Sequence, residues 1–150
     1  MTINPLLTIS RTSVYGLARQ DGKLLLIKQQ KGPHAGRFDF PGGGIEHGET
    51  IEEALRREFR EEVAMTFDSM HLEKNLTANT QGINEKGESY LLHQIGMIYS
   101  VTNPTLLQDQ IPEMEFFWID PTQLSEKDAS PFVRQIINSK LYSGAFLIFK

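Results

Sequence analysis

The 150-residue chain contains no cysteine. A chain without thiols forms no disulfide, binds no metal through thiolate and has no cysteine nucleophile. Its N-terminus lacks the basic start and long apolar run of a signal peptide, and no apolar run is long enough to span a membrane. We therefore expect a cytoplasmic protein with no membrane partner.

Positive charge is scarce as well. Fifteen Lys and Arg stand against nineteen Asp and Glu, a net charge of −4. A non-specific nucleic-acid binder needs a basic surface, so we expect no nucleic-acid partner. The chain has no Gly-x-x-x-x-Gly-Lys-Ser/Thr phosphate loop, and its glycine run 42–44 does not match a dinucleotide fingerprint.

What is present is the composition of an ordinary globular domain. Apolar residues make up 39% and charged residues 23% of the chain, and we expect residues 1–150 to form one domain. Strand and helix patterns together predict an α+β fold, an α/β/α sandwich with a mixed β-sheet between helices. The predicted strands are 12–19, 23–29, 37–40, 69–81, 90–101 and 115–119, and the predicted helices are 50–63 and 131–138.

Three other segments carry weaker signals. We expect residues 1–10 to be a loosely held lead-in. The glycine-rich run 41–44 is expected to lack regular structure and to let the backbone approach another group closely. The apolar stretch 145–149 is compatible with an added strand, a core plug or a contact in a homodimer, and the sequence leaves these three open.

The most informative feature is the placement of acids in the first predicted helix. At about 100° per residue, Glu58 and Glu62 project within about 20° of Ile51, inside the apolar stripe, and Glu61 lies on its flank. The rest of the stripe consists of Ala54, Leu55 and Phe59, and the opposite, solvated face holds Glu52, Glu53, Arg56 and Arg60.

Carboxylates among core residues need an explanation. Buried charges need partners, and a cluster of like charges needs a cation. Hard oxygen ligands suit Mg²⁺, with Mn²⁺ as the alternative. Glu-Arg-rich helices are more commonly solvated faces with salt bridges, but the phase of Glu58 and Glu62 argues against that interpretation here.

The spacing around this helix resembles the Nudix box. Gly43 is followed after five residues by Glu49, and after seven more by Arg57-Glu58-Phe59-x-Glu61-Glu62. Every chemically active position of the box is matched, and Ala64 stands where the family has glycine. The resemblance covers about residues 10–135 and implies the Nudix sandwich fold, a divalent metal and a nucleotide-derived substrate.

The resemblance also implies roles for the box residues. Glu58, Glu61 and Glu62 are expected to hold the metal, together with a backbone carbonyl from Gly43 or Gly44. Glu49 is expected to accept hydrogen bonds or hold a metal-bound water, and Arg57 to orient a carboxylate. Glu61, Glu62 and a distal glutamate are all candidates for the general base.

Two further substrate contacts are expected outside the box. Lys28 ends the second predicted strand, where MutT-like enzymes place a basic residue on substrate phosphates; an ordinary strand-end lysine is the alternative. A carboxylate from the loop before the last strand often joins a Nudix site. Glu113 fits that placement best, with Asp109 and Glu115 as the other candidates.

Other polar and aromatic residues are assigned no chemistry. His34, His47, His71 and His93 lack metal-ligand spacing. Tyr15, Phe38 and Tyr99 have rings that could stack on a base, but aromatics in strands more often belong to a core.

The function expected from this pattern is Mg²⁺-dependent hydrolysis of a phosphoanhydride bond in a nucleoside diphosphate derivative. The nearest expectation is MutT-like action on a nucleoside triphosphate, including an oxidised one. The alternatives are a nucleotide-sugar or dinucleoside polyphosphate pyrophosphatase, and a non-catalytic nucleotide-sensing module. An ADP-ribose substrate is disfavoured, because Gln81 occupies the position where such enzymes commonly carry proline.

Overall fold

The computed structural model describes residues 7–139. Within them the strands and helices follow in the order β1 Leu7–Gln20, β2 Lys23–Lys28, β3 Phe38–Asp39, β4 Gly42–Gly44, α1 Ile51–Val63, β5 Met65–Thr66, β6 Met70–Ile83, β7 Ser89–Val101, β8 Thr105–Leu106, β9 Phe116–Ile119 and α2 Pro131–Ile137. Two 3₁₀ turns, Pro121–Gln123 and Glu126–Asp128, lie between β9 and α2.

The long strand β1 organises the main sheet. One edge of β1 pairs in parallel with β7 from Leu7 to Ala18, and β6 continues the sheet beyond β7 in antiparallel orientation. The other edge of β1 pairs first with β4 and then, at its end, with β2. Strands β3 and β9 pair with β2. Because parallel neighbours need a crossover connection, α1 is carried over one face of the sheet.

The two faces of the sheet bury separate cores. Side chains alternate along a strand, so Leu24 and Leu26 project to one face and Leu25 and Ile27 to the other. The first face packs against α2, and the second packs against Ala54, Leu55, Phe59 and Val63 of α1. The mixed sheet between two helices confirms the predicted α/β/α sandwich.

Local sequence signals account for several boundaries. Asp21 and Gly22 both have positive φ, 52° and 75°, the conformation of a two-residue hairpin turn, and they connect β1 to β2. Thr50 accepts a hydrogen bond from the Glu53 backbone, and the Glu53 side chain accepts one from the Thr50 backbone. This reciprocal capping box fixes the start of α1 next to Thr50, the first residue of the predicted helix 50–63.

The structure corrects several sequence expectations. Strand β1 begins at Leu7, so part of the expected lead-in 1–10 is regular structure. The run Gly42–Gly44 forms β4 against β1, although it was expected to be irregular. Arg56 is not simply solvated, since its guanidinium donates to the Phe67 and Asp68 carbonyls. The small β5–β8 pair was not predicted.

Two further expectations concern the apolar stretch near the C-terminus and membrane-spanning segments. The apolar stretch 145–149 lies beyond residue 139, outside the described residues. Over the range 7–139, neither helix has the length and apolar character needed to cross a membrane.

Helix α1 ends in a left-handed residue. Ala64 has φ 52° and ψ 44°, and its N–H donates to the carbonyls of Arg60 and Phe59. An L-residue in this conformation is strained by about 1 kcal/mol, because its Cβ crowds a carbonyl. The Ala64 side chain is also buried, at 1% exposure. Its methyl group therefore contributes about 0.8 kcal/mol of packing.

Substitution of Ala64 tests this balance. Ala64→Gly removes the strain and the methyl packing together, so we expect the free energy of unfolding to change by less than about 1 kcal/mol. Ala64→Val adds branched bulk to a left-handed, buried position and should destabilise by at least about 2 kcal/mol. Denaturant unfolding measures both, and a tolerated valine would contradict the left-handed helix end.

Candidate active site

The glutamate side chains of helix α1 differ in how far they are exposed to solvent. The Glu58 side chain is 14% exposed and the Glu61 side chain 45% exposed, while that of Glu52 on the opposite face is 62% exposed. Glu62 is half-buried and neighbours Val63, which is fully buried. The helical phase derived from the sequence therefore describes the observed helix.

Arg57 is the hub of the site. Its guanidinium donates two hydrogen bonds to Glu49, from Nε at 2.7 Å and from Nη2 at 2.9 Å. Nη1 donates to Glu58 at 3.0 Å and to Glu61 at 3.3 Å, and Nη2 also donates to the Gly44 carbonyl at 3.1 Å. The guanidinium of Arg57 thus connects the loop before α1 to two carboxylates of the helix and to β4.

The fork between Arg57 and Glu49 has a clear electrostatic signature. Hydrogen bonds from Arg57 lower the pKa of Glu49 to about 2, and a bond from the Glu46 backbone N–H acts in the same direction. Glu49 is therefore ionised throughout the physiological range. A bidentate arginine–carboxylate pair also fixes orientation, so Arg57 is held in one position relative to the helix.

Glu62 is in the opposite electrostatic situation. Burial raises its pKa to about 8, and the like charges of Glu58, Asp39 and Glu113 add to the rise. Its carboxylate accepts a hydrogen bond of 2.8 Å from the Gly42 N–H, which opposes the shift. Burial likewise raises the pKa of Glu58. Without a cation, these acids are costly to ionise together.

The glycine run gives the backbone access to these carboxylates. A Cβ at Gly43 would lie 2.7 Å from Oε1 of Glu58, so a side chain there would fill the space beside the carboxylate. Gly42 has φ 149°, a conformation that L-residues rarely adopt. The expectation that this run permits a close backbone approach is confirmed, although its strand character was missed.

The donor set suits a hard divalent cation. It consists of carboxylate oxygens beside an open backbone cradle, and its members repel one another, which a cation would relieve. Within residues 7–139, however, no three acidic or histidine side chains converge on one point as a ready-made ligand set. Glu58 and Glu61 are instead turned towards Arg57.

Two adjoining cavities form a groove beside the carboxylates. The first, of about 290 Å³, is lined by Tyr15, Asp39, Glu58, Glu62 and Gln94 among others. The second, of about 580 Å³, is lined by residues that include Ser10, Thr12, Arg57 and Glu58. Arg11, Gly44 and Glu58 line both cavities, so the groove is continuous past Glu58.

The structure brings one of the expected substrate contacts to the site. The Glu113 backbone N–H donates to the Glu61 carbonyl at 2.9 Å, and the Glu113 charge acts on Glu62. Lys28 does not line either cavity of the groove; its Nζ lies 5.7 Å from the centre of the Phe38 ring. Glu113, Asp109 and Glu115 are all exposed and line neither cavity, so the charge of Glu113 on Glu62 is what distinguishes it.

Sequence reasoning missed three groove residues. Asp39 is buried, and burial raises the pKa of its carboxyl to about 6 although Ser130, Gln29 and the Phe40 N–H donate to it. Arg11 lies on the outer half of β1, and Gln94 is its partner on β7. One signal was available: Asp39 is a lone acid between two phenylalanines in a strand pattern.

Comparison with known proteins gives the family. The NUDIX domain model matches residues 8–139. The chain therefore belongs to the Nudix hydrolase family, whose members generally use divalent metal cations.

Individual relatives agree with this assignment. The chain is 31% identical over 140 residues to nucleoside triphosphatase NudI of Escherichia fergusonii, a match that covers 87% of this chain and 96% of that protein. It is 29% identical over 137 residues to the protein of the same name from Escherichia coli, with the same coverage.

Solved structures show the same fold. A MutT NUDIX hydrolase from Burkholderia pseudomallei superposes with a TM-score of 0.64 at 23% identity, covering 84% of this chain and 94% of that one. A MutT protein from Bacillus halodurans gives 0.62 at 20% identity, covering 86% and 83%.

The buried state of Glu62 predicts a pH effect on the stability of the metal-free protein. The pKa of Glu62 in the folded protein, about 8, lies above its ordinary value of 4.5. The contribution of Glu62 to folding stability is therefore fully present below pH 4.5, and it is lost as the pH rises towards 8 because the buried carboxyl must then ionise. In chelator, we expect Glu62→Gln to melt at least about 3 °C above the wild type at pH 8.5, and the difference to shrink at pH 5.5.

Glu52→Gln is the matched control for this melting experiment, because it makes the same change on the solvated face of α1. It removes a surface ion pair with Arg56, so it should lower the melting temperature by no more than about 2 °C and by the same amount at both pH values. A Glu62→Gln variant that melts below the wild type at pH 8.5 would show that the carboxylate is better accommodated than its burial indicates.

Proposed function

We propose that the chain is a Mg²⁺-dependent pyrophosphohydrolase that acts on nucleoside triphosphates. Two matches of about 30% identity to nucleoside triphosphatases, each covering 96% of the relative, support the substrate class. The observation that carries the proposal is the buried carboxylate cluster of α1, with Glu58 and Glu62 facing a groove next to the Gly42–Gly44 backbone.

The chain's own residues have separable tasks in this proposal. Glu58, Glu61 and Glu62, with the Gly43 carbonyl, would hold the cation, because Arg57 already occupies the Gly44 carbonyl. Arg57, held by Glu49, orients Glu58 and Glu61. The cation would neutralise phosphate charge and lower the pKa of a bound water. Glu113 adds a further carboxylate beside Glu62.

The substrate also needs positive charge from the protein. Arg11 is exposed in both cavities of the groove and lies beside Gly44, and Lys31 lines the smaller cavity. We infer that these two side chains contact phosphate oxygens, because both line the same groove as the carboxylates. Lys28, the residue expected from the sequence, lies outside the groove.

The direct test is a substrate screen. Nucleoside triphosphates, dinucleoside polyphosphates and nucleotide sugars are each incubated with the full chain and Mg²⁺, and phosphate or pyrophosphate release is measured. We expect nucleoside triphosphates to give the highest kcat/KM and excess chelator to abolish turnover. Full turnover in chelator would overturn the metal mechanism, and a nucleotide sugar as the best substrate would overturn the substrate class.

Substitutions on α1 test which face carries catalysis. Glu61→Gln and Glu62→Gln keep the shape of the side chain but remove a metal ligand or base, so we expect turnover to fall by at least ~10²-fold. Glu52→Gln, on the solvated face, should change turnover by less than about twofold. Steady-state kinetics measures all three, and equal losses at Glu52 and Glu62 would refute the assignment of the catalytic face.

A second set of substitutions compares the candidate phosphate contacts. Arg11→Ala should raise KM for the best nucleoside triphosphate by about tenfold with a smaller fall in kcat, because a ground-state phosphate contact is lost. Lys28→Ala is the matched removal of a cation outside the groove and should raise KM by less than about twofold. A larger rise in KM for Lys28→Ala than for Arg11→Ala would show that Lys28 of β2, and not Arg11, contacts the substrate phosphates.

A further inference from the structure

Gln94 carries a buried amide without a hydrogen-bond partner. The residue lies on β7, and its side chain is 7% exposed. Among residues 7–139, no group forms a hydrogen bond with this amide. A buried polar group without a partner costs free energy, so an amide that is withdrawn from water normally gains a partner in exchange. The position of Gln94 therefore needs an explanation.

The amide of Gln94 is open to the smaller cavity of the groove. Three buried side-chain atoms of the described residues have neither a partner nor access to solvent: Ser13 Oγ, His34 Nδ1 and Arg134 Nε. The oxygen and nitrogen of the Gln94 amide do not belong to this set although they also lack partners, so both remain accessible. Because Gln94 lines the cavity of about 290 Å³, a molecule in that cavity can reach its amide.

An apolar side chain and a short loop surround the amide. Leu92 precedes Gln94 by two residues on β7, so both side chains project from the same face of the sheet. Leu92 is 9% exposed and lines the same cavity, as do Pro33 and His34 of the loop after β2. Nε2 of His34 lies 3.4 Å from the hydroxyl of Thr80, the partner of Leu92 on β6. This part of the cavity thus places one planar amide beside an apolar surface.

The strand register places Gln94 at some distance from the carboxylates. The run Gly42–Gly44 pairs with one edge of β1, and Gln94 pairs with Arg11 on the other edge. With strands about 4.8 Å apart and a rise of about 3.4 Å per residue, Gly43 and Gln94 are separated by roughly 14 Å. In the proposed function the reacting phosphates lie beside Gly43. The base, at the other end of the nucleotide, then extends towards Gln94.

A planar amide is suited to contact the edge of a base. It carries a donor and an acceptor side by side, and glutamine forms two hydrogen bonds at once with a base that offers the complementary pair. The flat face of the base would pack on Leu92. A ribose hydroxyl would engage one atom of the amide, and a phosphate would engage only its donor and leave the oxygen without a partner.

We propose that Gln94 contacts the base of the nucleotide through both atoms of its amide, and that it determines which base the enzyme prefers. This inference rests on the proposed function and deepens it, because the substrate is then selected by its base as well as by its phosphates. The base lies far from the bond that is broken. Gln94 therefore contributes mainly to substrate binding, and hence to KM.

The first test removes the hydrogen bonds of the amide. Gln94→Met keeps an unbranched side chain of similar length without donor or acceptor, and Gln81→Met makes the same change at an exposed position of β6 that lines neither cavity. Steady-state kinetics is measured on the common ribo- and deoxyribonucleoside triphosphates, and circular dichroism verifies folding. We expect the wild type and Gln81→Met to prefer one base by at least about tenfold in kcat/KM.

Gln94→Met should lose that preference. We expect its kcat/KM on the preferred nucleotide to fall by at least about tenfold, mainly through KM, so that the bases differ by less than about threefold. A wild type without base preference would overturn the proposal, as would a variant that keeps the preference. A variant that changes only the ratio of ribo- to deoxyribonucleotides would show that Gln94 contacts the sugar, and would overturn it equally.

Inhibition by inorganic tripolyphosphate separates base recognition from a structural role. This probe carries the phosphates without a base, so its inhibition constant should differ by less than about twofold between the wild type and Gln94→Met. If tripolyphosphate inhibition weakens as much as the binding of every nucleotide, Gln94 supports the site as a whole and the proposal is overturned.

The second test predicts a direction of change. Gln94→Glu keeps the shape of the side chain but replaces the donor with a second acceptor. Its carboxylate can accept from the amino group of adenine or cytosine, and it repels the carbonyl of guanine, uracil or thymine. We expect the ratio of kcat/KM for amino bases to that for carbonyl bases to rise by at least about tenfold over the wild-type ratio. Because general damage to the site cancels in this ratio, an unchanged ratio would overturn the contact.

Binding measurements separate this proposal from the proposed function. Nucleoside monophosphates contain no phosphoanhydride bond, so their dissociation constants can be measured with Mg²⁺ whether or not the chain is a hydrolase. If the wild type hydrolyses no nucleoside triphosphate but binds monophosphates with a base preference that Gln94→Met abolishes, the proposed function fails and the base contact stands. Hydrolysis with a base preference that is independent of Gln94 gives the opposite result, and no binding of any nucleotide would overturn both.

Discussion

The bidentate pairing of Arg57 with Glu49 is the interaction on which the site depends. Glu49 lies in the loop before α1 and Arg57 in the second turn of the helix, so the fork fixes the loop against the helix. The rest of the guanidinium is then aimed at Gly44 of β4 and at Glu58 and Glu61. The same guanidinium thereby gives the half-buried Glu58 a partner of opposite charge, which offsets part of the cost of its burial.

The site holds more negative charge than the protein can stabilise by itself. The pKa of Glu62 is raised by burial, and the pKa of Asp39 nearby is raised for the same reason. Arg57 is committed to Glu49, so little of its charge is left for Glu62. A bound cation would relieve this repulsion, and the energy that burial of the carboxylates costs the folded protein would then favour binding of that cation.

Helical features of the site could be predicted from the sequence because they are local. The period of 3.6 residues places Glu58 and Glu62 in the apolar stripe, and the capping box places the start of α1 at Thr50. The family's glycine at the position of Ala64 is typical of a left-handed helix end, and Ala64 adopts that conformation although it is not glycine.

Strand features could not be predicted in the same way. The pairing of Gly42–Gly44 with β1, and the position of Arg11 beside Gly44, depend on register between segments far apart in the chain. Lys28 was expected in the site from its place at a strand end. Lys28 pairs with Phe38 and its ammonium lies 5.7 Å from the centre of that ring, and its contact with substrate phosphates stays a prediction.

A short segment of chain, residues 39–44, contacts both helices although they lie on opposite faces of the sheet. Asp39 accepts a hydrogen bond from the Ser130 hydroxyl, which in turn accepts one from Val133 and so caps α2. Three residues later, the Gly42 N–H donates to Glu62 of α1. Each helix is thus anchored to the same stretch of backbone by a polar contact next to the groove.

This double anchoring constrains both the sequence and the mechanics of the site. The backbone at Gly42 approaches β1 closely at φ 149°, so a side chain at this position would collide with the β1 backbone. A shift of either helix would therefore act on the groove through residues 39–44. The buried acid Asp39 accepts three hydrogen bonds, and the one from Ser130 links β3 to the start of α2 while the Asp39 side chain still lines the groove.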